Sequence, residues 1–186
     1  KLPYYGSIAQ RRGFVEKLDA LITDMKRGGL DPDRLKDYAD TLPAGSSRDK
    51  LTDLAKVYAQ YREVLRGLRE RGVRTGLASA SPRWVIDGFV EALGISELLD
   101  VAVSGEECAA SKPAPDVYLR TMELLGVEPG ATVVVEDSPI GLLAAHRAGA
   151  LVCAMPLPHG VSLDQSLADV HLSCLEDILC LPGMPS

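Results

Sequence analysis

Four positions in the second part of the chain carry the residue types that phosphoryl chemistry needs, and they come in a definite order. Ser79 lies in Leu77-Ala78-Ser79-Ala80-Ser81, and Lys112 lies in Ala110-Ser111-Lys112-Pro113-Ala114-Pro115-Asp116. Glu136 and Asp137 follow the apolar run Val133-Val134-Val135 and precede Ser138-Pro139. A small hydroxyl beside free backbone amides can donate to a phosphate oxygen, and a lysine can neutralise phosphate charge. Two adjacent carboxylates repel each other, an arrangement that makes sense if a hard cation such as Mg2+ sits between them and an anion. Each position also has a plain structural reading. Ser79 fits a turn or a helix start, Lys112 fits a solvated surface, and the two acids complement the dipole of the helix that follows them. It is the ordered combination that points to a phosphoryl site.

The elements that must hold these loops follow from hydrophobic periodicity. From residue 73 onward, strands are expected over 73–78, 101–104, 132–135, 151–155 and 169–172, alternating with helices over about 83–93, 115–125 and 139–148. Val133 to Val135 is a β-branched run without polar alternation, which suits a strand buried on both faces of a parallel sheet. Ser138 reads as the N-cap of the next helix, Pro139 as its first position and Gly149 as its stop. Alternation of this kind marks right-handed βαβ units, and open α/β sheets bind ligands at the carboxyl ends of their strands. The candidate residues fall at or after such ends.

The first third reads differently. Phe14, Leu18, Leu21, Ile22 and Met25 recur at helical spacing over 7–27, Asp31-Pro32 opens a short helix to about Leu42, and Leu51, Leu54, Tyr58, Tyr61, Leu65 and Leu68 line a long helix to about Arg71. This part is therefore expected to be all helical.

With 186 residues, 46% hydrophobic and 25% charged, the chain has the composition of one globular domain with a sizeable subdomain. No stretch approaches the roughly 18 apolar residues of a membrane span, and no signal-peptide core is visible, so a cytoplasmic protein without a membrane partner is expected. The net charge of −6 hides an asymmetry: 15 Lys and Arg against 11 Asp and Glu through Gly72, a surplus of +4, then 5 against 15, or −10. Overall acidity argues against a nucleic-acid partner. A basic first part opposite an acidic remainder fits a two-part molecule that closes over an anion held partly by metal, while a solvated helical surface accounts for most of the individual charges. Cys108, Cys153, Cys174 and Cys180 show neither zinc-ligand nor disulfide spacing and read as ordinary core or surface thiols.

The segments Leu77-Ala78-Ser79-Ala80-Ser81, Ser111-Lys112-Pro113-Ala114-Pro115-Asp116 and Val135-Glu136-Asp137-Ser138-Pro139-Ile140-Gly141, with Ala144-Ala145 and Arg147-Ala148-Gly149 behind them, resemble the second, third and fourth motifs of haloacid dehalogenase-like hydrolases. The nearest branch is that of beta-phosphoglucomutases and small sugar-phosphate phosphatases. The resemblance implies a Rossmann-like parallel α/β core over 67–186 and an α-helical cap over 1–66. It implies that Ser79 and Ala80 bind the transferred phosphoryl group, that Lys112 binds it and steadies the nucleophile, and that Glu136 and Asp137 serve a Mg2+ site. The implied partner is a small phosphorylated metabolite, handled by a monomer or weak homodimer. Arg11, Arg12 and Lys50 of the cap are candidates for substrate contacts.

One departure from the family is large. Its first motif, an apolar strand ending in Asp-x-Asp-Gly that supplies the nucleophile and the general acid and base, does not occur; the only Asp-x-Asp is Asp31-Pro32-Asp33, at a helix start. In the family that strand is central, between those ending near Ala78 and Val135. Its absence is expected to leave backbone groups along two apolar strands unpaired, at about 1 to 3 kcal/mol each against a total stability of about 5 to 15. The sequence is accordingly expected to be the downstream part of a longer protein. Taken at face value, the same absence supports an alternative: a catalytically inactive relative that binds phosphate and metal as a regulatory module.

Overall fold

The computed structural model describes residues 32–156 and 162–185. The helix expected over 7–27, with Arg11 and Arg12, and the N-cap Asp31 lie outside the described residues.

Among the described residues two helices come first, α1 (Pro32–Thr41) and α2 (Ser46–Glu70). Their apolar stripes meet: Leu35 and Ala39 of α1 bury against Leu51, Leu54 and Tyr58 of α2, and Leu93 and Ile95 complete this cluster. At 25 residues, α2 is long enough to serve a second core as well, since a helix rises about 1.5 Å per residue. Its last turns place Val64 and Leu68 against Cys153, Leu172 and Ile178. The helix thus runs unbroken through residues 66 and 67.

The remainder alternates strand and helix: β1 (Gly76–Ser79), α3 (Arg83–Leu93), β2 (Val101–Ser104), α4 (Asp116–Leu125), β3 (Val133–Glu136), α5 (Pro139–Ala148), β4 (Leu151–Ala154) and β5 (Val170–His171). Every strand pair is parallel. β1 pairs with β2, Gly76 opposite Val101 and Ser79 opposite Ser104, while β3 pairs with β4, Val133 opposite Leu151 and Glu136 opposite Ala154. β5 extends the second sheet on the far side of β4. The α/β fold with parallel strands is as the sequence implies, and so is the helical character of the described residues before β1.

β1 begins three residues later than the pattern 73–78 implies. Val73 is used to finish α2: its N–H donates to the Leu68 carbonyl at 3.0 Å. Thr75 then joins the next connection, its N–H donating to the Asp100 carboxylate at 2.7 Å. Only from Gly76 is the backbone free for the ladder.

β3 is covered on both faces, as its β-branched run demands. Val134 faces the cluster that contains Val103, Tyr118, Met122 and Leu142, whereas Val133 and Val135 face the cluster built on Val64 and Leu68. Helices α4 and α5 therefore cover one face, and α2 with the short 3-10 segment Leu175–Cys180 covers the other. The sheet itself is in two pieces, β1-β2 and β3-β4-β5, and among the described residues no strand joins β1 to β3. α4 bridges the pieces, packing on β1 and β2 and against α5.

The four cysteines are free thiols. No described helix is long and apolar enough to cross a membrane.

Candidate active site

Glu136 is the last residue of β3, and its side chain is the hub of the site. Oε1 accepts from Lys112 Nζ at 2.5 Å and from Tyr118 Oη at 2.7 Å. Oε2 accepts from the Asp137 N–H at 3.1 Å, the Ser138 N–H at 3.3 Å and the Ser138 hydroxyl at 3.1 Å. A carboxylate has roughly four lone-pair sites, so five donors saturate it. The pair with Lys112 is nearly sealed, with side-chain exposures of 13% for lysine and 12% for glutamate. Burial by itself would raise the Glu136 pKa, but the N–H of Lys112, the Tyr118 hydroxyl and the Ser138 amide overcome it and hold the value at about 2. Glu136 is therefore a fixed negative charge at neutral pH.

The local sequence builds this hub from both sides. Ser138 caps α5, its Oγ accepting from the Gly141 N–H at 3.1 Å while the hydroxyl proton goes to Glu136. Pro139 occupies the first turn and Gly149 closes the helix at φ 79°, a left-handed conformation that glycine adopts without strain. Gly141 is required for room: a Cβ there would lie 2.1 Å from the Glu136 carboxyl carbon. On the other side, the loop before α4 is closed by Asp116, which accepts from the Ala110 N–H at 3.2 Å, and by Arg147, which donates to the Pro113 carbonyl at 3.0 Å. These bonds set Lys112 opposite Glu136.

Asp137 is next in the chain yet differently placed. Its side chain is exposed, while its carbonyl accepts from Gln165 Nε2 at 3.1 Å. The same Gln165 nitrogen donates to the Met155 carbonyl at 3.0 Å, so one amide ties the exits of β3 and β4 together. The result is one saturated, nearly sealed carboxylate and one exposed carboxylate next to it at the exit of β3. The open one, at a strand exit, suits a Mg2+ ion, which binds through one or two carboxylates and completes its shell with water and phosphate. Among the described residues no cluster of three or more His, Cys, Asp or Glu side chains forms a metal cage.

Ser79 ends β1. Its Oγ accepts from the Ser81 N–H at 3.1 Å, which leaves its own proton available to a ligand. The following loop is pinned to the one after β2: the buried Ser104 hydroxyl donates to the Ser81 carbonyl at 2.7 Å, and a Cβ on Gly105 would sit 3.1 Å from Ala80 Cα. Ala80 is exposed. The hydrogen bonds thus unite Lys112, Glu136 and the Asp137 backbone, while Ser79 and Ala80 belong to a separate network at the end of the other sheet piece. Lys50 lies in the first half of α2, the half that packs with α1 and the end of α3, and is partly buried.

Two residues of the hub escape a sequence reading. Tyr118 falls on the apolar stripe of α4 and looks like core, and it is 95% buried, yet its hydroxyl serves the ion pair. Gly141 looks like an ordinary small residue in a helix. Their signals were the six-residue step from Lys112 to Tyr118, which returns the ring over the loop, and the placement of Gly141 three residues after the cap.

The order of these loops, with lysine and paired acids at the exits of parallel strands, is matched by a family model. The model of haloacid dehalogenase-like hydrolases covers residues 22–155. The chain belongs to that family. Among its relatives in the haloacid dehalogenase-like family is protein CbbY of Rhodobacter capsulatus, 33% identical over 156 residues, 74% of this chain and 69% of that protein. Hexitol phosphatase B of Escherichia coli is 35% identical over 118 residues, 63% of this chain and 53% of that protein, so the chain spans about half of that relative's length. The crystal structure of a haloacid dehalogenase family hydrolase from Deinococcus radiodurans, with bound phosphate and sodium, superposes with a TM-score of 0.58 at 26% identity over 82% of this chain and 74% of that one.

Proposed function

We propose that this chain is a Mg2+-dependent phosphohydrolase or phosphomutase of small phosphorylated metabolites, sugar phosphates foremost, working through an aspartyl-phosphate on an Asp that is not among the residues assembled around Lys112. The observation that carries the reading is the sealed Lys112–Glu136 pair beside the open carboxylate of Asp137, at the exit of a parallel strand. Family membership and relatives named as phosphatases, hexitol phosphatase B among them, support the reaction class.

The roles follow from the bonds. Lys112, held by Glu136, presents positive charge to a phosphoryl oxygen, and Ser79 Oγ with the Ala80 amide donates to the same group. Asp137 would hold Mg2+, with Glu136 behind it orienting the loop; bound there, the cation would neutralise developing phosphate charge. Residues 1–66 act as the cap that covers the site and excludes water, and Arg11, Arg12 and Lys50 contact the substrate body. The protein works in the cytoplasm as a monomer or weak homodimer.

Phosphate release from a panel of sugar phosphates, with and without Mg2+, tests the reading in the intact protein. Release that requires Mg2+ and disappears in Asp137→Ala is expected; turnover unchanged by that substitution would sink the assignment. A second reading is favoured by one observation, that the only Asp-x-Asp of the sequence ends in the first turn of α1, at Asp33, rather than at a strand exit. In that case the site binds phosphate and Mg2+ without turnover, and calorimetry shows binding where the assay shows none.

A further inference from the structure

Lys112 is held by more than its ion pair. Its ammonium has three N–H donors. One goes to Glu136 Oε1 and one to Tyr118 Oη at 2.7 Å, and the third has no acceptor among the described residues. Tyr118 Oη in turn donates its single proton to Glu136 Oε1 at 2.7 Å, so lysine, tyrosine and glutamate close a three-membered ring of hydrogen bonds. The Lys112 nitrogen also stands 4.6 Å from the centroid of the Tyr118 ring, within the range of a cation–π contact. The tyrosine itself cannot drift, because it lies on α4 with 5% exposure among Val117, Met122 and Leu142. Two contacts from one buried ring, with the Glu136 bond as the third side of the triangle, therefore fix the direction of an otherwise flexible side chain.

We propose that Tyr118 is the positioning residue of the phosphate site, its hydroxyl fixing Lys112 Nζ so that the one remaining N–H is aimed at a phosphoryl oxygen. The inference rests on the reading of Lys112 as a phosphate ligand given above. A salt bridge to Glu136 alone leaves the ammonium free to spin about its Cε–Nζ bond; the second bond to Tyr118 removes that freedom before the ligand arrives, so less ordering is left to be done on binding. Tyr118 touches no ligand in this scheme and acts through Lys112.

Tyr118→Phe separates this role from simple packing, since it keeps the ring and its buried volume and removes only the hydroxyl. Titration calorimetry with inorganic phosphate and Mg2+ should show binding weakened roughly fivefold to twentyfold in a variant whose circular dichroism matches the parent. Ser79→Ala, which alters the phosphate site at the other strand exit, is run beside it. Phosphate binding weakened by Ser79→Ala and untouched by Tyr118→Phe overturns the positioning role and leaves the phosphate reading standing. Binding that neither substitution alters removes the phosphate reading and the inference with it. A measurement on the unaltered protein needs no ligand: the side-chain ammonium of Lys112 should give a slowly exchanging nitrogen-15 NMR signal that is lost in Tyr118→Phe. An ammonium exchanging as fast as that of a surface lysine overturns the proposal, whatever the calorimetry gives.

Discussion

The exits of β3 and β1 carry the two halves of the candidate site, and they are secured by opposite means. After β3, a single carboxylate gathers five donors and its lysine partner is almost out of water. After β1, the chain is held to the loop of β2 by one buried hydroxyl, Ser104, and by Arg83, which pairs with Glu107 at side-chain exposures of 38% and 39%. Water screens the second arrangement far more than the first, so similar ion pairs have very different weights: about 0 to 1 kcal/mol for the exposed pair, and several for removing one partner from the nearly sealed pair. The charge that would meet a phosphate is thus preorganised at β3, where misplacing it is costly, while β1 contributes neutral donors on a loop held by hydroxyls and one exposed ion pair.

The largest test of that contrast is Lys112→Met, which keeps most of the side-chain volume and removes the charge. It strands Glu136, and urea denaturation at neutral pH should show a loss of about 3 to 5 kcal/mol. The pH dependence sharpens the test. Glu136 has a folded-state pKa depressed from 4.5 to about 2, so its contribution is fully present above pH 4.5 and is lost as pH falls toward 2. Wild type and variant should therefore converge in stability across that window. A gap that stays constant from pH 6 down to pH 2.5 would mean that the pair is not what holds Glu136 ionised.

Gly141→Ala attacks the same hub without touching a charge. The new methyl would meet the Glu136 carboxyl carbon at 2.1 Å, and five hydrogen bonds oppose any retreat of that group. Destabilisation of about 1 to 3 kcal/mol is expected, against the small gain that alanine ordinarily brings to a helix interior. A thermal midpoint equal to or above that of the parent would show that the hub yields more easily than its bonds imply.

The same contrast explains what could be read from the chain. Strand and helix alternation from β1 to β5 was plain, because apolar runs such as Val133–Val135 need cover on two faces and Gly149 has a conformational reason to end α5. The start of β1 was not, because Val73 looks like a strand residue until the last carbonyls of α2 claim its N–H. Lys112, Glu136 and Asp137 were visible through residue type and order. That Glu136 is buried and saturated while Asp137 is open was not, since adjacent acids at a strand end point in different directions and only the packed α4 and α5 decide which one meets lysine. Tyr118 was hidden for the same reason: a helical stripe fixes which side faces the core and says nothing of where a hydroxyl lands. Among the described residues β1 pairs only with β2 and β3 only with β4, so the edges that these two strands turn towards each other carry no described partner.

The smallest effect belongs to β1, and it completes the comparison. Glu107→Gln removes the charge that accepts from Arg83 Nε at 2.8 Å, but it leaves the Arg83 bond to the Ala102 carbonyl at 2.8 Å and the Ser104 bond to the Ser81 carbonyl in place. With both partners more than a third exposed, the stability change should stay below about 1 kcal/mol and shrink further as salt is added, because an ion pair open to water is weakened by the high dielectric and by counterions. Denaturation of Glu107→Gln at low and high salt checks this beside Lys112→Met, whose loss should hardly depend on salt. Equal salt sensitivity at the two exits would mean that water reaches the Lys112–Glu136 pair, and the distinction between a sealed charge at β3 and a screened one at β1 would not stand.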